Sequence, residues 1–77
     1  MAKFHFPQIG ERYMLVNDVD RFPDFIAEGG LEGTLSDIDN GLYCLRMDKT
    51  IEGAEEWDNE VIWHSLDEFL ADVRRLG

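Results

Sequence analysis

Two acidic stretches hold most of the residues that could do chemistry. The first is Asp18-Val19-Asp20-Arg21-Phe22-Pro23-Asp24, with carboxylates at alternate positions at its start. That is how a calcium loop begins. Such a loop also needs a glycine at its sixth position and a bidentate glutamate at its twelfth. Here those positions are Pro23 and Gly29, and the shorter Asp37-x-Asp39 pair meets Gly41 at its fifth. A solvated acidic loop is the reading that remains, and no metal is expected. The second stretch is Glu55-Glu56-Trp57-Asp58-Asn59-Glu60. Paired carboxylates do acid–base or di-metal work only where they converge in a cleft that shifts their pKa values. A chain this short offers little cleft, so a charged connection is expected. The third candidate is the single thiol, Cys44, with His5 or His64. A cysteine nucleophile needs an oriented base, and nothing in the sequence orients one. Cys44 lies mid-strand, where a free cysteine behaves as a small buried hydrophobe. The chain is therefore read as non-enzymatic and without cofactor.

The aromatics in these stretches point to binding instead. Trp63 sits in a strand-like run and reads as core. Trp57 lies between Glu56 and Asp58, where an indole ringed by acids suits contact with Arg or Lys through charge pairing and cation–π attraction. Phe22 has a similar setting beside Asp20 and Asp24. The candidate partner-binding residues are Asp18, Asp20, Phe22, Asp24, Glu55, Glu56, Trp57, Asp58 and Glu60.

The charge of the whole chain narrows the partner. Seventeen Asp and Glu oppose seven Lys and Arg, a net charge of -10 over 77 residues. The pI is near 4.3. Arg12, Arg21 and Arg46 do not make the basic stripe that a nucleic-acid footprint requires. Direct DNA or RNA binding and attachment to anionic membrane are both disfavoured, and a basic protein surface is favoured. Hydrophobic residues are 44% of the chain, too many for a disordered acidic segment. One domain, 1–77, is expected, with 1–9 a loosely ordered N-terminal segment. A chain of this size buries only about 60% of its unfolded surface, so modest stability is expected. With one cysteine and no leader-like or membrane-length apolar run, a soluble cytoplasmic protein is the expectation.

The elements that must position these residues follow from patterning. Residues 12–17 read as a strand. Residues 18–30 read as a long loop, with one helical turn at 23–28, folded onto the core by Val19, Phe22, Phe25 and Ile26. Leu31 to Ile38 and Leu42 to Met47 flank Asp39-Asn40-Gly41, a strong hairpin signal because Asn and Gly tolerate positive φ. A three-residue loop pairs Leu35 with Leu45 and Gly33 with Met47, which gathers the apolar set on one face, whereas a two-residue turn would shift the register and scatter it, so the three-residue loop is expected. Residues 48–59 form an acidic connection and 60–64 a short strand. Ser65 and Glu68 match a capping box opening a helix over 65–76. Leu66, Phe69, Leu70 and Val73 supply its apolar face. Arg74 and Arg75 fall where the helix dipole favours cations.

The fold class is therefore mainly β (α+β), a small antiparallel barrel-like sheet of four to five short strands with a C-terminal helix. Gly10-x-x-Tyr13-x-Leu15-Val16, a long loop, Gly30-Leu31-x-Gly33-Thr34-Leu35 and Tyr43-x-Leu45-x-Met47 resemble a Src-homology-3-like small barrel over about residues 10–64. The resemblance implies a final strand after a short helical turn, whereas the periodicity places the 65–76 helix there. It carries over no functional residue, because that architecture hosts unrelated functions.

The functional expectation is a small acidic binding protein that docks on a basic protein surface. One form of it is an inhibitor or nucleic-acid mimic of phage or mobile-element type. The alternatives are a structural accessory domain that self-associates, as in a homodimer, and acidity that serves solubility alone.

Overall fold

The computed structural model describes residues 4–77, so Met1 to Lys3 of the N-terminal segment lie outside the described residues. The strands are β1 (Arg12–Leu15), β2 (Val19–Arg21), β3 (Phe25–Ala27), β4 (Glu32–Asp39), β5 (Leu42–Met47), β6 (Glu60–Trp63) and β7 (Val73–Leu76). A 3₁₀ turn covers Glu55–Trp57, and the helix α1 covers Leu66–Asp72. Five strands form an antiparallel sheet in the order β6-β5-β4-β1-β7, and β2 pairs with β3 in a separate hairpin. The sheet is barrel-like but open, with β6 and β7 as its edges.

Strand alternation places the core. Tyr13 and Leu15 of β1, Gly33 and Leu35 of β4, Tyr43, Leu45 and Met47 of β5, and Val61 and Trp63 of β6 all point inward and are buried. Phe69 of α1 drops into their centre. Its ring stacks on Tyr43 at 5.3 Å and meets Tyr13 and Trp63 edge-on at 5.1 and 5.2 Å. Gly33 has a packing reason: a Cβ there would lie 2.6 Å from the Arg46 carbonyl oxygen of β5.

The β4–β5 hairpin contains both registers that the sequence allows. Gly33 pairs with Met47 and Leu35 with Leu45, as the three-residue loop requires. Nearer the turn, Asp37 pairs with Cys44 and Asp39 with Leu42, so the turn itself is the two-residue Asn40-Gly41. Both turn residues have positive φ, 50° and 81°, as a type I′ turn needs. A bulge at Ser36 absorbs the one-residue offset, and the Ser36 hydroxyl donates to the Cys44 carbonyl at 3.0 Å.

Two local expectations are corrected. Residues 18–30 hold no helical turn. They fold into the β2–β3 hairpin, with Val19 opposite Ala27 and both buried. The Phe22–Pro23 peptide at its tip is cis. Val19 and Phe25 reach the core, but Phe22 is 81% exposed and Ile26 is 52% exposed. In a two-stranded ribbon successive side chains alternate between faces, so this hairpin cannot send all four apolar groups inward.

The expected helix is present but stops at Asp72, and residues 73–76 are the strand β7. Val73 turns extended at φ -129°, ψ 160°. Val73 to Leu76 then pair with Leu15 to Arg12 of β1. Three contacts end the helix there. The Val16 amide donates to the Asp72 carbonyl at 2.8 Å, and the Asp72 carboxylate accepts from the Trp63 indole at 2.9 Å and from Asn17 at 3.2 Å. Completing β1's second edge outweighs one more helical turn. Helical spacing and a strand both allow an apolar Val73, so spacing alone does not choose. A strand after a short helix is what the small-barrel resemblance implied. Arg74 and Arg75 accordingly sit on β7 rather than at a helix end.

Candidate functional site

The β2–β3 hairpin and the 48–59 connection meet. Gly53, at φ +94°, lies so close to the hairpin tip that a Cβ would sit 2.2 Å from the Asp24 carbonyl oxygen. Asn59 shapes the connection from within. Its side chain accepts from the Ile51 amide at 2.9 Å and donates to the Met47 and Lys49 carbonyls, both at 2.9 Å. Asn59 adopts φ 60° and Asp58 φ 54°. Asx residues tolerate this left-handed region better than most.

Between hairpin and connection, along β6, runs an open groove of about 290 Å³ lined by Arg21, Asp24, Phe25, Trp57, Glu60, Ile62 and His64. Its floor is apolar, from Phe25, Ile62 and the 47%-exposed Trp57. Its rim carries Asp24 and Glu60, with Glu56 and Asp58 flanking Trp57 in sequence.

The nine candidate residues divide by what their side chains already do. Asp18 accepts from the Gly29 amide at 2.8 Å and Asp20 from the Phe22 amide at 2.9 Å, so both hold the hairpin's shape. Glu55 accepts from the Gly53 amide at 2.9 Å. Glu60 takes the Ser36 hydroxyl and faces Arg46 at 3.5 Å. Among the described residues, the carboxylates of Asp24, Glu56 and Asp58 make no hydrogen bond or ion pair, and Phe22 and Trp57 stand in solvent. The structure therefore brings Asp24, Trp57 and Glu60 to one groove. It gives Asp18, Asp20 and Glu55 structural tasks beside it.

Phe25, Ile62, Arg21 and His64 line the groove but escape a motif reading. Ile62 and Glu60 share a face by strand alternation, a signal that could have found Ile62 but not Phe25 and Arg21, which come from the separate β2–β3 hairpin. Arg21 donates to the Ile62 carbonyl at 3.1 Å, and its guanidinium lies 5.8 Å from the Trp63 ring centre.

The three arginines considered for a basic patch are dispersed. Arg12 donates to Thr34 at 2.8 Å and grips Asp48 through both terminal nitrogens. Arg46 faces Glu60. The hydrogen bond from Arg12 pulls the Asp48 pKa below its ordinary value. Beside Arg12 in sequence, Glu11 is a hub. It takes the Gln8 amide at 2.7 Å and the Tyr13 hydroxyl at 3.0 Å, and it lies 2.5 Å from His5 and 3.8 Å from Arg75. Burial pushes its pKa up, but the bonds from Gln8, His5 and Tyr13 together hold it below the ordinary value. Burial raises the Cys44 thiol, as do the neighbouring Glu60, Asp37 and Asp39, which makes it a poor nucleophile at neutral pH. Among the described residues no three His, Cys, Asp or Glu side chains cluster as a metal would require, and no helix is long and apolar enough to cross a membrane. Compared with known proteins, the chain matches no family model, no curated protein and no solved structure.

Proposed function

We propose that this chain is a small, non-enzymatic acidic binding module whose groove face docks on a basic protein surface. One observation carries the proposal. Two acidic connections far apart in sequence, 17–32 and 48–60, converge on an apolar-floored groove rimmed by Asp24 and Glu60, with the uncommitted Glu56 and Asp58 flanking its Trp57 in sequence. Exposed Trp57 at the groove and exposed Phe22 at the hairpin tip suit the anchor role that aromatics take at interfaces. A cytoplasmic setting belongs to the same proposal and rests on the single cysteine. An inhibitor that imitates phosphates is one form of it, and competition with duplex DNA for the captured partner is the way to recognise that form.

The test is affinity capture at about 50 mM and about 500 mM salt, with wild type beside Asp24→Lys/Glu56→Lys. Contacts between exposed charges are screened within about 3 Å at 1 M salt and about 10 Å at 0.1 M. Capture should therefore fall in high salt and in the reversed variant. Partners retained equally in all four conditions would overturn the reading. Self-association is favoured by a separate observation, the exposure of Phe22 and Ile26 on one hairpin, and a sedimentation series from low to high micromolar decides it.

A further inference from the structure

β6 is an edge strand whose outer side faces the groove. In an antiparallel ladder, residues alternate between pairs that exchange both backbone hydrogen bonds and pairs whose N–H and C=O turn away from the partner strand. The Met47 amide donates to the Asn59 carbonyl at 3.1 Å. That phase makes Leu45–Val61 and Tyr43–Trp63 the bonded pairs along the observed register. The backbone groups of Glu60 and Ile62 then point to the open edge. The Ile62 carbonyl confirms the direction, since it is the one that Arg21 reaches from outside the sheet. Arg21 is thus a side-chain plug on an edge that is otherwise unpaired among the described residues, one way of guarding such an edge against stray pairing.

We propose that the groove takes an extended basic segment of the partner, which adds as a strand to the edge of β6. The inference rests on the docking reading above and specifies its geometry. Strand addition draws affinity from main-chain hydrogen bonds and specificity from alternate side chains. The Glu60 and Ile62 backbone supplies the bonds, with an incoming amide replacing Arg21 at the Ile62 carbonyl. Phe25, Trp57 and Ile62 supply an apolar floor for one face of the segment. Asp24 and Glu60 meet its Lys or Arg side chains, and the net charge of -10 disfavours an acidic segment.

The test uses a nine-residue peptide alternating lysine and valine and leaves the protein untouched. Two further versions carry N-methyl groups on alternate backbone amides, one in each phase. Fluorescence titration at about 50 mM salt should show saturable one-to-one binding of the parent. One methylated phase should bind at least tenfold more weakly, and exchange of the Glu60 and Ile62 amides should slow in the complex. If both methylated phases bind like the parent, strand addition is overturned while charge-driven docking stands. If the parent does not bind, strand addition is again overturned. The docking reading is judged independently by the Asp24→Lys/Glu56→Lys capture.

Discussion

Single side chains decide whether the two acidic connections stay where they are. Asn59 is the clearest case, because one amide serves three backbone groups from a left-handed position. Replacing it with Ala removes three hydrogen bonds worth roughly 0.5–1.5 kcal/mol each. Asn59→Ala should therefore lower stability by about 2 kcal/mol or more in urea unfolding, and a loss under 0.5 kcal/mol would contradict its role. Gly53→Ala meets both a positive φ and the Asp24 carbonyl, so it should destabilise by more than about 1 kcal/mol and weaken partner capture. The pH response also belongs here. Asp48 and Glu11 have pKa values below their ordinary 3.8 and 4.5. Depressed carboxylates stabilise the fold above their unfolded pKa and lose that contribution as pH falls through the folded one. Melting temperature should be flat from neutrality to about pH 5 and then fall below the ordinary value of 4.5. Tyr13 is shifted the other way, upward, by burial and by Glu11, so its contribution declines as pH rises past its ordinary 10.0. The acids of this face were legible in the sequence, but their division of labour was not. Asp18 and Asp24 look alike in a sequence, and only the fold shows that one caps Gly29 while the other faces solvent.

At the scale of elements, patterning was informative wherever a local rule acted alone. One half of the expected capping box is seen, the Ser65 hydroxyl accepting from the Glu68 amide at 3.1 Å, while among the described residues the Glu68 carboxylate makes no return bond to the Ser65 amide. Ser65→Ala should cost about 1 kcal/mol. The Asn-Gly turn and the Leu35–Leu45 register were both legible, but as rival readings. No local signal announces that a bulge at Ser36 lets both hold. The end of α1 was not legible, because β1's need for a second partner is a non-local demand. Phe69 is the main fastening of the helix, with the partly buried Leu66 packed against the same core. Phe69 is the helix's only buried residue, and it touches three aromatic rings. Phe69→Ala should cost about 3–5 kcal/mol. On a domain this small the circular-dichroism signal should be that of a largely unfolded chain at 37 °C. A melting point within a few degrees of wild type would show that the helix is held by something else.

At the scale of the molecule, the net charge of -10 acts on folding and on binding with opposite signs. Like charges repel within the compact state and attract a basic partner, and salt screens both. Raising salt from about 20 to about 500 mM should therefore raise the melting temperature while weakening the complex. Parallel changes would mean that the acids act through specific contacts instead. The same open sheet has a consequence in time. Its inner strand β1 is made early, yet its second neighbour β7 comes about sixty residues later. A nascent chain emerging from a ribosome can assemble the β4–β5 hairpin and add β6 while β1 still presents a bare edge. Contacts this distant in sequence slow folding. Until residues 73–76 are free, β1 is the surface on which a chaperone or a second nascent copy would find an unpaired strand.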